Sequence, residues 1–472
     1  MAKSLLETLY YKLPYRLQVF LFNQKARQKF QNRTSSGYQE YLESYQNNWN
    51  ADIQTVEEFQ KKELTEFLLF SLKYSEWYAE KFNEKGITGG QIQNDPYSSL
   101  RRLPLLAKKD IVNHLDLIIN KQSDLGKVIP VYTSGSTGTP MKTLACPDSE
   151  NRLHAIKKRF HHSVGVPVDN LCIRFSGNKI ISLDRDKSPY WHHNQHENVW
   201  FFSIYHFRTE TMPVFIDKLN EVKPHLLDGY PSAINVLANY INNQNIKLSF
   251  VPKAICTTAE PLTPHIRHNI EKAFKCGVYN QYSTSEGATF ITECKNKKLH
   301  VNIDTGVAEY LNQKGEPGKP GEHCELVVTS FINKKTPLIR YRTGDWVKLS
   351  WKDEKCDCGC QMPVIEDIFG RYEDYLVDEN GVEQGMVSYR VFKTAQHILK
   401  AQIIQTAKNR CIVRIVKDAD YGEKTEAQIK AKLTSILGSS FDIRFEYCDD
   451  IETGANGKFK TVINQTKNLH TS

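Results

Sequence analysis

The sequence predicts an α/β protein with a large N-terminal body and a small α+β domain at the C-terminal end. Apolar, strand-like runs alternate along the body with helical patterns, an order typical of mixed or parallel sheets. The strand-like runs lie at 128–132, 171–175 and 254–258, and the helical patterns at 150–162, 212–222, 231–243 and 264–274. From residue 370 the chain has its own strands and helix, at 402–406, 411–416, 424–437 and 442–446. We therefore expect a body at 1–369 and a second domain at 370–472.

The composition fits a soluble globular protein. The chain has 472 residues, which allows two to four domains and a large buried core. Its 22 Phe, 23 Tyr and 6 Trp exclude a long disordered chain, because disordered chains lack such apolar surface. The 62 Lys and Arg exceed the 54 Asp and Glu by 8, and these charges are spread along the chain. This balance permits an anionic substrate but does not indicate nucleic-acid binding.

The N-terminal region, residues 1–125, is predicted to be helical. A helical stripe of apolar residues opens it, interrupted by charges: Leu6, Leu9, Leu13, Leu17 and Phe20. We find no uncharged apolar run of about 18 residues and no signal-peptide pattern, so we expect a cytoplasmic protein without a membrane span. We expect the stripe to pack on the body, and the alternative is a peripheral contact with a bilayer, as basic amphipathic helices make.

The loop at 132–142 (YTSGSTGTPMK) is suited to binding phosphate. Hydroxyl residues alternate with glycines, so backbone N–H groups and hydroxyls can approach a polyphosphate, and Lys142 adds a cation. The loop lacks the Gly-Lys-Ser/Thr ending of P-loop NTPases, which disfavours a P-loop kinase. A plain surface loop of Ser, Thr and Gly is the alternative if no other motif accompanies it.

Six segments in order resemble the signatures of the adenylate-forming superfamily, which includes the acyl- and aryl-CoA ligases. After the phosphate loop, the matching segments are 258–262 (TAEPL, adenine), 281–286 (QYSTSE, Mg²⁺), 341–345 (YRTGD, ribose), 370–374 (GRYED, hinge) and 453–460 (TGANGKFK, catalytic lysine). Two features resemble the phenylacetate-CoA ligase branch and its capsule-biosynthesis relatives. They are the long region before the phosphate loop and the thiol-rich insertion that contains residues 356–360. The resemblance implies a multi-part body that includes a β-barrel-like part, followed by a mobile cap.

The resemblance also implies residue roles. Lys458 would lie between the substrate carboxylate and the α-phosphate of ATP, Glu286 would hold Mg²⁺, and Thr284 would bind the α-phosphate. The other nucleotide-binding residues would be Thr133, Ser134, Ser136, Thr137, Lys142, Ala259, Glu260, Pro261, Tyr282, Ser283, Asp345 and Arg371. The hinge would contain Glu373 and Asp374. The last signature is one residue longer than usual, so Lys460 remains a second candidate for the catalytic lysine.

Three of the eleven cysteines crowd into 356–360 (CDCGC), a spacing that indicates metal chemistry in a reducing compartment. Cys294 and His300 lie six positions apart, directly after the predicted Mg²⁺ loop. Structural Zn²⁺ takes four N or S ligands from two short pairs. We predict such a site from Cys294, His300, Cys356 and Cys358, with Cys360 as a competing ligand. Free thiols beside a solvated histidine are the alternative.

The substrate pocket is expected from the resemblance at two segments, around Tyr205 and His206 and around Gly229 and Tyr230. Aromatic walls and imidazoles there would suit a polar or aromatic acid, although core packing is an equal alternative for the neighbouring aromatic residues. His192 and His196 have the i, i+4 spacing of a metal pair on a helix, but their flanks lack helical periodicity, so we do not expect a metal there.

Together these features predict an enzyme that activates a carboxylic acid with ATP and passes the acyl group to CoA, an amine, an amino sugar or a carrier protein. Surface polysaccharide biosynthesis is the expected setting. The alternatives are a catabolic CoA ligase for aromatic acids and a non-catalytic scaffold that keeps the fold. ATP or AMP, Mg²⁺, Zn²⁺ and CoA are the implied cofactors.

Overall fold

A computed structural model describes most of the chain, and its contacts divide into two compact units. The described residues are 5–121, 123–133, 141–167, 169–351, 356–371, 375–384, 387–392, 395, 397–417, 421–452 and 460–466. The first unit comprises residues 1–24, 169–278 and 369–472, and the second comprises 25–168 and 279–368. Among the described residues no helix combines the length and the apolar composition needed to cross a bilayer.

The described helices are named in chain order. They are α1 (Leu5–Lys12), α2 (Tyr15–Arg33), α3 (Tyr38–Asn50), α4 (Ile53–Tyr74), α5 (Glu76–Glu84), α6 (Gly89–Asn94), α7 (Pro96–Arg102), α8 (Lys108–Ile118), α9 (Pro147–Ser163), α10 (Met212–Val222), α11 (Pro231–Asn243), α12 (Pro264–Phe274), α13 (Val387–Phe392) and α14 (Glu423–Leu437). Short 3₁₀ turns lie at Ser123–Leu125, Ile204–His206 and Ile303–Thr305.

The described strands alternate with helices through the middle of the chain, as an α/β fold requires. They are β1 (Ile129–Tyr132), β2 (Lys142–Ala145), β3 (Cys172–Ser176), β4 (Trp191–Asn194), β5 (Val199–Ser203), β6 (Leu226–Gly229), β7 (Ala254–Thr258), β8 (Val278–Ser283), β9 (Phe290–Glu293), β10 (Leu299–Val301), β11 (Gly306–Leu311), β12 (His323–Ser330), β13 (Tyr341–Leu349), β14 (Val364–Arg371), β15 (Leu376–Val377), β16 (Glu383–Gln384), β17 (Ile398–Ala407), β18 (Arg410–Lys417), β19 (Asp442–Tyr447) and β20 (Val462–Asn464).

The second unit packs helices α3–α8 against a set of antiparallel strands. These strands follow the order β11-β12-β13-β14-β10-β9-β8, and β1 pairs with β2 in a separate hairpin. Helix α4 shows why the sequence folds this way. Asp52 caps its first turn by accepting a hydrogen bond from the backbone N–H of Thr55 at 2.9 Å. Its buried positions recur every three or four residues and form one apolar face: Val56, Gln60, Leu64, Phe67, Leu68 and Ser71.

The central part of the first unit is a mostly parallel sheet with the strand order β7-β6-β3-β5-β4. Strands β3, β5, β6 and β7 run parallel, and β4 pairs antiparallel with β5. Helices α10, α11 and α12 supply an apolar core that includes Phe215, Leu237 and Phe274. Parallel strands bring their carboxyl ends to one edge of the sheet, which is where ligands bind in open α/β folds.

The C-terminal segment has its own sheet, with the strand order β19-β18-β17-β20, and its own apolar core under α14. The contact division groups it with the parallel sheet in the first unit. The α/β class is confirmed. The described strands form open sheets, so the expected part that resembles a barrel is not found among the described residues.

The N-terminal helices pack on the first unit through polar and aromatic residues. The Tyr10 hydroxyl lies 3.1 Å from Nε2 of His192, and the Phe22 ring contacts that of Phe201 with centroids 5.5 Å apart. The apolar stripe faces the other way, with Leu17 and Phe20 exposed. The expectation that this stripe packs on the body is therefore wrong for Leu9, Leu17 and Phe20, because periodicity shows which residues share a face but not which face is buried.

Candidate functional site

The predicted pocket residues lie at the carboxyl edge of the parallel sheet in the first unit. The Tyr205 hydroxyl donates to the backbone carbonyl of Gly177 at 3.0 Å, just beyond the end of β3. Tyr230 directly follows β6, and its backbone N–H donates to the carbonyl of Phe175 at 2.9 Å. Burial raises the pKa of both phenols, and the nearby Tyr230 raises that of Tyr205 further. Two half-buried, uncharged phenols thus stand at this edge.

Gly229 is required where β6 passes β3. Its φ is 152°, and a Cβ atom built on it would lie 1.9 Å from the carbonyl oxygen of Phe175. Since that separation is far below van der Waals contact, the strands approach this closely only with glycine at position 229. The close approach places Tyr230 at the sheet edge, as the family resemblance implies.

His206 belongs to the core beneath this edge. It is buried, its Nδ1 lies 2.8 Å from the Ser203 hydroxyl, and its ring stacks on Tyr190 with centroids 4.9 Å apart. Burial, followed by the charge of Arg208, lowers its pKa. The imidazole is therefore neutral near pH 7 and packs in the core.

An ion pair that the sequence analysis did not single out lies in the same sheet. Arg174 on β3 and Asp228 on β6 are register partners, and the Arg174 Nε donates to Asp228 Oδ2 at 2.9 Å. Asp228, which directly precedes Gly229, is buried. The Arg174 guanidinium compensates its negative charge. The sequence does contain a signal for this pair, because each residue is a charged side chain within an otherwise apolar strand.

The predicted adenine segment follows β7. Ala259 has a positive φ of 71°, which turns the chain sharply out of the strand. The Glu260 carboxylate accepts a hydrogen bond at 3.1 Å from the backbone N–H of Ser232 in the first turn of α11. Ala259 and Pro261 are exposed, so a flat surface is available for a base. Within the first unit, this segment therefore lies beside helix α11, which begins at Pro231.

In the second unit, the predicted ribose and Mg²⁺ residues come together. The Tyr282 hydroxyl donates to Asp345 Oδ2 at 2.6 Å. Burial raises the pKa of Tyr282 well above its usual value. The charge of Asp345 is the next cause, and Glu286 makes a further contribution. The half-buried phenol of Tyr282 is thus influenced by two carboxylates. We call Tyr282, Glu286 and Asp345 the carboxylate cluster.

The loop between β8 and β9 is held by its own hydrogen bonds. The Thr284 side-chain oxygen accepts from the backbone N–H of Ala288 at 2.9 Å, and the Ser330 hydroxyl donates to the carbonyl of Gly287 at 2.5 Å. Glu286 is 7% exposed within this loop. Ser283 ends β8 and is half-buried. The loop is therefore preformed, which fixes where the Glu286 carboxylate lies.

Only the base of the phosphate loop falls within the described residues. Thr133 and Met141 close it: the Thr133 N–H donates to the Met141 carbonyl at 2.9 Å, and the Met141 N–H donates to the Thr133 side-chain oxygen at 3.2 Å. Lys142 is exposed and pairs with Tyr132 across the β1–β2 hairpin. Six predicted residues lie outside the described ones, and for Arg371 only the backbone is described. These six are Ser134, Ser136, Thr137, Glu373, Asp374 and Lys458.

The two candidate lysines differ in what the structure describes. Lys458 lies outside the described residues. Lys460 directly precedes the last strand segment, and its backbone carbonyl accepts a hydrogen bond at 2.9 Å from the Gln402 side-chain amide. Lys460 is exposed. The choice between them stays a prediction.

The four predicted zinc ligands converge in the second unit. One donor atom from each of Cys294, His300, Cys356 and Cys358 lies within 4.8 Å of the others. The Sγ atoms of Cys294 and Cys356 are 3.6 Å apart, and Cys358 Sγ is 3.4 Å from Nε2 of His300. A tetrahedron with zinc–sulfur bonds of about 2.3 Å has ligand separations of about 3.8 Å. The donor set therefore fits Zn²⁺.

Neighbouring groups orient the donors. His300 Nδ1 lies 2.9 Å from the Met362 carbonyl. Because a carbonyl only accepts, Nδ1 carries the proton and Nε2 keeps its lone pair for a metal. The backbone N–H of Cys360 donates to Cys358 Sγ at 3.4 Å, which stabilises a thiolate. Cys360 itself is buried and stands outside the four-residue cluster. The role of the Met362 carbonyl was invisible in the sequence, since a backbone acceptor leaves no sequence signal.

The His192–His196 pair is not a metal site in this fold. His192 lies in strand β4 and His196 in the turn that follows, so their spacing does not put them on one helix face. His192 is buried and its Nδ1 lies 2.9 Å from the Trp191 carbonyl. Burial lowers its pKa to about 4, so it is neutral.

Comparison with known proteins identifies the family. Residues 376–465 match the family described as the CapK C-terminal domain. Protein CapK of Staphylococcus aureus is 33% identical over 425 residues, which are 87% of this chain and 89% of that protein. The chain belongs to the CapK family. A phenylacetate-coenzyme A ligase of Thermus thermophilus is 27% identical over 34% of this chain and 37% of its own length.

Solved structures give the fold of this CapK family member independently. A 2-hydroxyisobutyryl-CoA ligase in the postadenylation state, in complex with R3-HIB-AMP, matches with a TM-score of 0.69. It covers 90% of this chain and 92% of its own, at 15% identity. Together with the CapK and phenylacetate-coenzyme A ligase relatives, this match confirms the resemblance to the adenylate-forming superfamily, and the chain has the fold of the acid–CoA ligases.

Proposed function

We propose that this CapK family member activates a carboxylic acid with ATP. A carboxylate oxygen attacks the α-phosphorus, the bond from that phosphorus to the bridging oxygen breaks, and pyrophosphate leaves, so that an acyl-adenylate forms without net proton transfer. In a second step an acceptor attacks the acyl carbonyl, loses its proton and displaces AMP. The observation that carries the proposal is the carboxylate cluster, because it assembles the two signature carboxylates in a preformed loop and strand.

The residues have distinct roles in this proposal. Asp345 would accept hydrogen bonds from the ribose hydroxyls, with Tyr282 holding its carboxylate in place at 2.6 Å. Glu286 would ligate Mg²⁺, which when bound neutralises charge on the phosphate oxygens. Two carboxylates beside one half-buried phenol fit a cation, since a cation relieves their repulsion. Ala259 and Pro261 would pack against adenine, and Lys142 would contact phosphate.

Both reacting groups are anions, so attack needs a cation near the α-phosphate. Lys458 has this role in the proposal, with Lys460 as the second candidate. Either lysine belongs to residues 370–472, which we propose as a cap that moves about a hinge near Arg371, Glu373 and Asp374. Two findings support a separate cap: its own sheet and core, and the family match confined to 376–465.

Comparing Lys458→Ala with Lys460→Ala in ATP–pyrophosphate exchange tests this role. The catalytic lysine should be the one whose loss lowers the exchange rate by about a hundredfold or more, while the other variant stays near wild type. Lys408→Ala, which changes another lysine of the same segment, is a matched control. If neither variant lowers the rate, the assignment of a catalytic lysine to this signature is wrong.

We propose Zn²⁺ as a structural ion at Cys294, His300, Cys356 and Cys358. With four protein ligands the site is closed, which is typical of structural zinc and leaves no position for a reacting water. The ion would tie the turn between β9 and β10 to the segment that precedes β14.

The acid and the acceptor remain proposals at the level of class. Tyr205 and Tyr230, uncharged and half-buried at the sheet edge, suit a polar or aromatic acid. CoA is the first acceptor to test, because a CoA ligase shares the fold, and an amine, an amino sugar and a carrier protein are the others. A cytoplasmic setting in surface polysaccharide biosynthesis is the proposal that follows from the sequence resemblance, and aromatic-acid catabolism is the alternative. Release of free AMP with only one of these acceptors would identify it.

A further inference from the structure

The N-terminal helices α1 and α2 expose four large apolar side chains, three of which share one face of α2. They lie on the last turns of α1 and the first half of α2, all within the first unit. About half of the surface of each side chain is exposed to solvent: Leu9 (53%), Leu17 (48%), Phe20 (57%) and Leu21 (44%). We call these four residues the N-terminal patch. Exposed apolar residues gathered in this way mark an interaction surface, whereas single ones are ordinary.

The patch cannot turn inward, because hydrogen bonds on the opposite side fix the helices. The Tyr11 hydroxyl donates to the carbonyl of Lys179 at 2.7 Å, and the Tyr15 hydroxyl donates to the carbonyl of Trp191 at 2.7 Å. Gln18 is buried between them and donates to the carbonyl of Leu13 at 2.8 Å. These contacts use the face that packs on the sheet and leave the apolar face outward.

The charges around the patch are mostly positive. Helix α2 has five basic residues and no acidic one, although the last of them, Arg33, pairs with Glu150 at 3.2 Å: Arg16, Lys25, Arg27, Lys29 and Arg33. Lys12 ends α1 and is exposed, as is Arg16. The neighbouring loop at 177–190 adds Lys179, Arg185 and Lys187 against Asp184 and Asp186, together with the exposed Leu183. The guanidinium of Arg185 lies over the Tyr15 ring, 5.2 Å from its centroid, which places this loop beside the helices.

We propose that the N-terminal patch docks the protein on an anionic lipid bilayer. Apolar side chains flanked by Lys and Arg suit the boundary between headgroups and acyl chains, where the apolar groups enter and the cations pair with lipid phosphates. A second copy of the chain fits less well. In a two-fold contact the same surface meets itself, so α2 would face another helix that has only positive charges. The inference does not depend on the proposed function.

Flotation of the full chain with two kinds of vesicle tests the proposal. We expect binding to vesicles of phosphatidylcholine mixed with phosphatidylglycerol, and much weaker binding to phosphatidylcholine alone. Leu17→Gln with Phe20→Gln should weaken binding to the anionic vesicles about tenfold or more, since both side chains would lose burial in the bilayer. Val251→Gln is the matched control, because Val251 is 60% exposed in the same unit but lies outside the patch.

A charge variant separates the electrostatic contribution. Lys12→Gln with Arg16→Gln should weaken binding to anionic vesicles about fivefold for each cation removed, and added salt should weaken binding of the wild type. Unchanged thermal unfolding of all variants shows that they fold. The proposal is overturned if binding ignores the lipid charge, if the patch variant binds like Val251→Gln, or if light scattering shows a dimer that Phe20→Gln dissociates.

Discussion

The second unit contains two polar clusters in the same group of strands, and they are built on opposite principles. In the metal cluster, three thiols and one imidazole aim their donor atoms at a common point, and a neighbouring carbonyl and amide orient them. The carboxylate cluster gathers two acids around one phenol, which disfavours the ionised state of that phenol. In our proposal, a structural ion stabilises the first arrangement, and the second binds a ligand that exchanges during the reaction.

This difference predicts which property each cluster controls. Losing a metal ligand should reduce stability first, because metal binding is coupled to folding. Losing a carboxylate should reduce activity first. Two like charges held close together destabilise the fold, so removing one of them should not reduce stability. The predictions below test that division.

Removing one zinc ligand should have the largest effect on stability. Cys358→Ser should lower the zinc content measured by elemental analysis and reduce the free energy of unfolding by about 4 kcal/mol, as is typical when a metal site is lost. Chelation of the wild type should destabilise it in the same direction. Cys448→Ser, in the C-terminal sheet segment, is the matched control and should keep its zinc. Full stability without zinc in Cys358→Ser would show that the cluster is only a group of free thiols.

Glu286→Gln should lower acid-dependent ATP–pyrophosphate exchange by about a hundredfold, because a neutral amide binds Mg²⁺ far less well than a carboxylate. Its thermal stability should equal or slightly exceed that of the wild type, since one of two neighbouring negative charges is removed. Glu66→Gln, an exposed acid on α4, serves as the control. An exchange rate like that of Glu66→Gln would exclude Glu286 as the Mg²⁺ ligand.

Tyr282→Phe should have the smallest effect. It removes the hydroxyl that donates to Asp345 at 2.6 Å but leaves both carboxylates in place. We expect a stability loss of about 1 kcal/mol, and a KM for ATP several times higher with a nearly unchanged kcat, because Asp345 would be less well held. A fall in kcat equal to that of Glu286→Gln would mean that the phenol takes part in the chemistry.

The sequence predicted the parts of the site that lie in contiguous motifs. The four metal ligands were predicted from short pairs, which are local patterns, and the structure brings their donor atoms together. Glu286 and Asp345 were predicted from the order of the signatures, and their roles stay predictions. The Met362 carbonyl and the approach of Gly229 to Phe175 were not predicted, since each depends on a backbone that comes from a distant part of the chain.

The N-terminal helices show a different limit. The stripe of Leu9, Leu17 and Phe20 was recognised, but its direction was wrong. Tyrosines that combine an apolar ring with a hydroxyl dock these helices on the sheet, and hydropathy alone does not rank such residues above leucine. Which face of a helix is buried depends on the surface that it meets. For Tyr11, the contacting residue lies some 170 positions away in the sequence.

The central claim is that this CapK family member forms an acyl-adenylate, and ATP–pyrophosphate exchange by the purified wild-type chain tests it most directly. With a panel of polar and aromatic acids and Mg²⁺, we predict incorporation of labelled pyrophosphate into ATP that requires one acid and is lost in Glu286→Gln. Tight AMP binding without exchange for any acid would contradict the claim and indicate a scaffold that keeps the fold without the reaction.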